Sequence, residues 1–493
     1  MASSPTRKVA KLDENHSSPS STRKEEDEFD DTQLPDDLKE IDFSRRISWN
    51  KFAPYSDKAL PFVPKHTPPI FTKESPNLCF QVHAICGRAR CASILFPGNK
   101  GPRIVTPRFQ PVGTKGTLKG VLPSEISQLN IPIILANTYH LAIQPGTDLI
   151  ERRNHLQEFS GYRKQFHLLT DSGGFQMVSL SALSEVTEQG VQFQNPYNTA
   201  ETLLLKPEDS MRHQMAIGAD ICMALDDVVS SVTVDDARFQ QATYRTLRWY
   251  DRCVNEFSKK ENNQQNLFPI VQGALDTSVG GLREQCLAGF MVRDTRSSSN
   301  HKIPGFAIGG LAGGESKDDF WKVVDQCCKS LPDDRPRYLM GVGYPLDLVV
   351  CTALGVDTYD CVYPTRTARF GVALVNNQVG GVLKLNKALV EKAESVLQEN
   401  CPCPACSRNM SRRRLQQLFK AQNPVAIQLL TQHNLAYMMT LCTDMQEAIC
   451  NQTFPDFVRT FLSQYYAIPS DIPQWVKDAL AEAGIALEMG DAD

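Results

Sequence analysis

Nowhere does the chain approach the ~18 consecutive apolar residues that a membrane-spanning helix requires, so a helical span is not expected. A secretory signal is equally missing. Residues 1–20 have no apolar core, and the early acids Asp13 and Glu14 do not suit a mitochondrial presequence. Excess positive charge is absent too: the net charge is −4. That deficit is local, because residues 1–47 hold 8 Lys/Arg against 12 Asp/Glu while the remainder balances at 44 of each. A neutral body can still carry a basic face, so charge alone excludes no nucleic-acid partner. Cysteine is plentiful, at 15, but scattered through strand-like and helix-like segments of a long chain. Free thiols in a reducing compartment are therefore expected rather than disulfides.

Residues 1–53, rich in Ser, Asp and Glu, are expected to be a disordered tail. Residues 54–77 hold Pro54, Pro61, Pro64, Pro68, Pro69 and Pro76 and read as an extended linker. Beyond them lie short apolar runs at 104–112, 131–135, 166–170, 220–225, 267–271, 305–308, 337–340 and 355–359. Each feeds a distinctive polar or glycine-rich segment, among them Asn137-Thr-Tyr-His140, Asp226-Asp227, Gln272-Gly273, Gly309-Gly-Leu311 and Gly341-Val-Gly343. The intervals accommodate a helix, as at 237–256 and 317–329. Strand, loop and helix repeated in this way predict an α/β protein of the (β/α)8 TIM-barrel type, whose strand-end loops converge on one face. The bland alternatives are that each strand end is an ordinary turn, and that the sheet is open and doubly wound.

Two of those strand ends carry acids in longer motifs, Asp171-Ser-Gly-Gly-Phe-Gln176 and Tyr359-Asp-Cys-Val-Tyr-Pro-Thr-Arg366. Carboxylates at the ends of different strands suit substitution at a sugar carbon, where one attacks and the other moves a proton.

A separate cluster, Cys401-Pro-Cys403-Pro-Ala-Cys406, precedes a helix-like stretch ending at His433. Three thiolates and an imidazole fill a tetrahedral Zn2+ shell and leave no open position, which is a structural site. A buried helix-end histidine is the plain alternative for His433, with Cys442 and Cys450 as substitute ligands. Nearby, Arg408, Arg412, Arg413 and Arg414 form either a solvated face or, with Arg366 and Arg369, a phosphate-binding track.

Taken together, Asn137-Thr-Tyr-His-Leu141, Asp171-Ser-Gly-Gly-Phe-Gln176, Gly309-Gly-Leu311, Tyr338-Leu-Met-Gly341, Asp360-Cys-Val-Tyr-Pro-Thr-Arg366 and the cysteine cluster make the chain resemble the tRNA-guanine transglycosylases, in their eukaryotic catalytic form, over about residues 78–490. The resemblance implies a catalytic barrel over 78–395, a zinc subdomain over 396–440 and C-terminal helices over 441–493 that complete the barrel. It implies exchange of guanine at the wobble position (34) of tRNAs with G-U-N anticodons (the Asp, Asn, His and Tyr types) for queuine. Asp360 would be the nucleophile and Asp171 the general acid/base. Asp226, Gln272, Gly310 and Leu311 would read the base, Phe175 and Met340 would sandwich it, and Gly341 would line the pocket. Val228 and Gly313 fall where bacterial relatives carry cysteine and valine, and the smaller Gly313 is expected to open room for queuine's cyclopentenediol. Arg366, Arg369, Arg412 and Arg413 would contact tRNA, and Cys401, Cys403, Cys406 and His433 would hold one zinc ion.

It further implies a related non-catalytic, zinc-containing partner in a heterodimer, and a cytoplasmic location with peripheral attachment to the mitochondrial outer membrane as an open alternative. Rival readings are that non-catalytic partner itself, a bacterial-type enzyme using the aminomethyl precursor preQ1, and a two-carboxylate glycoside hydrolase on the same barrel. Departures from the family pattern are Gln110, Ala274 and an insertion near 296–302.

Overall fold

A computed structural model describes residues 32–39, 41–44, 70–99, 101–162, 165–174, 184–195, 198–233, 235–296, 302–376 and 378–487. Most of the predicted tail and linker, Phe175, and most of the 296–302 insertion lie outside the described residues. The described part of the tail corrects one expectation. Asp36–Leu38 forms a short 3-10 helix whose Leu38 is fully buried, with Asp37 ion-paired to Arg293 at 2.8 Å. Leu34, Ile41 and Phe43 pack against the same core, but a few apolar residues spaced among acids are too weak a pattern to mark a docked segment in the sequence.

All eight apolar runs contribute to parallel strands, and the fold is mixed α/β. Ile133–Ala136, His167–Thr170, Ile221–Met223 and Asn266–Phe268 form a four-stranded parallel sheet. Ile270–Val271, Phe306–Ile308, Arg337–Leu339, Thr358–Cys361 and Arg108–Pro111 form a five-stranded one. These strands are short and almost entirely buried, as parallel strands between helices should be.

Three boundaries moved, each for a local reason. Pro107, lacking an N–H, separates Ile104–Thr106, which pairs antiparallel with Ala89–Leu95, from the parallel strand Arg108–Pro111. Pro269 interrupts the 267–271 run in the same way, yet its carbonyl still accepts from the Ala307 N–H at 2.9 Å. The last strand starts later than expected. Gly355, at φ +105°, closes the helix Pro345–Ala353, so pairing begins at Thr358 and Asp360 lies inside the strand opposite Gln110. Crossover helices fall where the spacing put them. Asp236–Phe257 is N-capped by Asp235, and Lys317–Ser330 by Ser316.

The helix Pro424–Cys450 runs against the antiparallel strands Cys79–Cys86 and Ala89–Leu95 and against Arg108–Pro111, and carries His433 in its first half. Among the described residues no helix is long and apolar enough to cross a membrane.

Candidate active site

Because the strands are parallel, their carboxyl ends share a face, and the predicted acids gather there. Asp171 follows His167–Thr170. One of its oxygens accepts from the Asn137 side-chain amide at 2.5 Å, the other from the Thr138 backbone N–H at 2.8 Å. The Thr138 hydroxyl donates to the Asp171 carbonyl at 2.6 Å, so the loop is tied from both sides.

Asp226 lies just past the neighbouring strand. It accepts from the Ser172 hydroxyl at 3.0 Å and the Gln272 amide nitrogen at 2.7 Å. Burial outweighs those donors and pushes its carboxyl up to about 6.

Asp360 accepts through one oxygen, Oδ1, from the Tyr338 hydroxyl at 2.5 Å and from the Gly341 N–H at 2.8 Å. Burial raises its carboxyl pKa, and both donors pull the other way. Gly341 stands at φ +74°, a conformation that favours glycine and turns its N–H onto the acid. The Tyr338 phenol is held well above its ordinary value, first by burial, then by the Asp360 charge beside it and also by that of Asp171. Ser172 links Asp171's loop to Asp226.

Gln272 has a partner within the protein. Its amide nitrogen is engaged with Asp226, and its oxygen lies 2.5 Å from where a Cβ on Gly310 would stand. Here it orients the acid. Leu311, Met340 and Val228 are half-buried, and Gly341 is exposed. The room expected at Gly313 is filled. A Cβ there would meet the Ser231 hydroxyl at 2.5 Å, and that hydroxyl donates to Glu315 at 2.8 Å.

Arg366 and Arg369 are exposed on the helix Tyr363–Arg369, immediately after the Asp360 strand. Arg412 is a correction to the phosphate-track reading. Its guanidinium donates to the carbonyls of Val396 and Leu397 at 2.8 and 3.0 Å, supplying partners to backbone that has no ladder of its own. Arg413 pairs with Glu394 at 2.9 Å on the surface.

Cys401, Cys403, Cys406 and His433 are all buried, with ligand atoms within 4.8 Å of one another. His433 Nδ1 lies 3.5, 3.4 and 3.5 Å from the three sulfurs, edge lengths that suit a tetrahedron built on ~2.1–2.3 Å metal bonds. Its Nε2 meets the Leu374 carbonyl at 2.8 Å, which fixes the tautomer that presents Nδ1 inward. These four donors could hold a metal ion, and neither Cys442 nor Cys450 belongs to the group.

Sequence reasoning missed the residues that aim the acids: Asn137, Thr138, Ser172 and Tyr338. All sit inside motifs already singled out. The signal was their adjacency to functional positions, but which hydroxyl meets which carboxylate is decided by strand neighbours distant in sequence.

Fold and site together define an α/β enzyme with acids assembled at the ends of parallel strands. The profile of the family described as queuine tRNA-ribosyltransferase matches residues 86–467. The queuine tRNA-ribosyltransferase catalytic subunit of Schizosaccharomyces pombe is 42% identical over 420 residues, covering 84% of this chain and 98% of the relative. Its Caenorhabditis elegans counterpart is 39% identical over 423 residues, covering 83% and 100%. The queuine tRNA-ribosyltransferase of Deinococcus radiodurans is 38% identical over 400 residues, covering 81% and 95%. The chain belongs to the queuine tRNA-ribosyltransferase family, whose members are transferases acting on tRNA.

Proposed function

We propose that this chain exchanges guanine at the wobble position (34) of tRNAs with G-U-N anticodons for queuine, by double displacement through a covalent aspartyl-ribosyl intermediate. The observation that carries the reading is that Asp171 and Asp360 lie at the carboxyl ends of parallel strands, Asp360 bonded to Tyr338 and Ser172, the neighbour of Asp171, bonded to the buried Asp226.

In the first half-reaction a lone pair of Asp360 forms a bond to C1′. The C1′–N9 bond breaks, and guanine leaves with that electron pair and a proton from Asp171. In the second, the entering base attacks C1′, the ester bond breaks back to the Asp360 carboxylate, and the proton returns to Asp171. Two inversions give net retention without ATP or redox chemistry.

Asp226 would accept from the purine N1–H and exocyclic amine, and a flipped base would lie between Phe175 and Met340. Arg366 and Arg369 would contact the anticodon. The metal would be one structural zinc. Closure of the eight strands into a barrel is part of the same reading. It is supported by the parallel bridge Val112↔Leu135 at one junction of the two sheets and by chain continuity through Pro269 at the other. The same reading includes the domain limits, a heterodimer with a related non-catalytic subunit, and a cytoplasmic location. Queuine is favoured over preQ1 by the catalytic-subunit relatives named above, not by space at Gly313.

Radiolabelled guanine incubated with unmodified tRNA of the Asp type, the full chain and its partner should enter tRNA. Tight binding without incorporation would support the non-catalytic reading, and release of free sugar would support the hydrolase.

Asp226 adds a pH signature. Below about 6 its carboxyl is protonated, and an acceptor becomes a donor facing two donors. The affinity for guanine should therefore fall about tenfold per pH unit below that value, as one proton requires. Asp226→Asn should abolish the pH step and weaken the base roughly 30-fold or more at pH 7.5. Equilibrium binding of the free base across pH 5 to 8 tests both.

A further inference from the structure

Among the described residues, both donors to Asp360 converge on the same oxygen. The Tyr338 hydroxyl reaches Oδ1 at 2.5 Å and the Gly341 N–H reaches it at 2.8 Å. This asymmetry separates the two oxygens chemically. Oδ1 is the held oxygen, and Oδ2 is left available to carbon. We propose that Tyr338 is a positioning residue for the transfer: it selects Oδ2 as the attacking oxygen and speeds departure of the carboxylate when the ester is broken. The proposal rests on the assignment of Asp360 as the nucleophile.

Tyr338 is only 1% exposed and packs in the inner apolar cluster with Met223, Ile270 and Ala307. Its ring is locked by these neighbours, so the hydroxyl cannot swing away as the reaction proceeds. When Oδ2 bonds to C1′, negative charge leaves the carboxylate and Oδ1 becomes an ester carbonyl, a weaker acceptor. When the entering base attacks C1′ and the C1′–Oδ2 bond breaks, its electron pair returns to the carboxylate and the Tyr338 bond strengthens again. The hydroxyl therefore favours free carboxylate over ester. It restrains accumulation of the adduct and accelerates its breakdown.

A tyrosine that merely needs a buried acceptor for its own hydroxyl makes a different prediction. Loss of that hydroxyl would then disturb packing alone, and adduct and exchange would fall in step or not at all.

The decisive experiment compares the parent full chain, Tyr338→Phe and Asp360→Ala, each with the partner subunit and unmodified tRNA of the Asp type. It measures the steady-state fraction of denaturant-stable protein–tRNA adduct alongside guanine exchange. For Tyr338→Phe, exchange should fall on the order of tenfold, the worth of one hydrogen bond to a charged group. The adduct fraction should rise severalfold over the parent at the same time. A parallel fall in both, or an unchanged adduct fraction, overturns the proposal. A second variant keeps the core intact: 3-fluorotyrosine at 338, a stronger donor, should lower the adduct fraction below the parent, and an unchanged or higher fraction counts against the role. If Asp360→Ala still forms the adduct, the nucleophile assignment itself fails, and that result is distinct from either Tyr338 outcome.

Discussion

Asp360→Ala should bind unmodified tRNA within about twofold of the parent and form no denaturant-stable adduct. Exchange should be slower by roughly 10^4-fold or more, the scale on which removal of a covalent nucleophile acts. The fold should tolerate the change. The strand is held by backbone pairing of Asp360 with Gln110, which the side chain does not enter. The truncation does strand two donors, the Tyr338 hydroxyl and the Gly341 N–H, in a buried place, at a cost of about 1–3 kcal/mol. Asp360→Asn controls for that cost. Its amide oxygen can accept from both donors, yet the amide is no nucleophile, so it should be as inactive as the alanine variant and closer to the parent in stability. Filter binding, a denaturing gel and thermal melting separate the three quantities. An adduct surviving in either variant would remove Asp360 from its assigned role.

The acids were legible because parallel strands are. Runs such as 166–170 and 220–225 are short, apolar and end in residues that turns alone do not require, so Asp171 and Asp226 could be placed at strand exits before any coordinates. The cysteine cluster was legible for a different reason: three thiols within six residues are a local pattern, and local patterns survive without a fold. What escaped was everything decided by contact across strands. Ser172 and Gln272 are far apart in sequence, and only the packing of their strands makes both donors to Asp226. Gly313 was read as open space from its missing side chain, whereas Ser231 on another loop occupies that volume. Arg412 was read by charge, but its partners are two carbonyls whose lack of a ladder shows only in three dimensions. Leu38 lies inside an acidic stretch whose composition predicts disorder, yet it is buried, and Leu34, Ile41 and Phe43 pack against the same core.

The second large effect is expected at the metal cluster, and it should be felt at a distance. Cys403 is fully buried, and its sulfur both faces His433 and accepts from the Cys406 N–H at 3.4 Å. Cys403→Ser removes a sulfur ligand that oxygen replaces poorly, and on the proposed reading of one metal ion per chain the metal content should fall to well below half. His433 sits on the helix Pro424–Cys450 next to Asn434, and Asn434 clamps the segment after the Asp360 strand. Its amide donates to the carbonyls of Pro364 and Val372 at 3.0 and 2.9 Å, and its oxygen accepts from the Leu374 N–H at 2.9 Å. That segment includes the helix Tyr363–Arg369, which presents Arg366 and Arg369. Loosening the cluster therefore loosens the cationic helix before it touches any carboxylate. The melting temperature should drop by roughly 5 °C or more, and among molecules that remain folded KM for tRNA should rise more than kcat falls. Elemental analysis, thermal melting and a KM-against-kcat comparison read these effects independently. A variant that kept one metal ion per chain would show that Cys403 is not a ligand. One that lost the metal yet kept its KM for tRNA would show that the cluster and the arginine helix are not mechanically joined through Asn434.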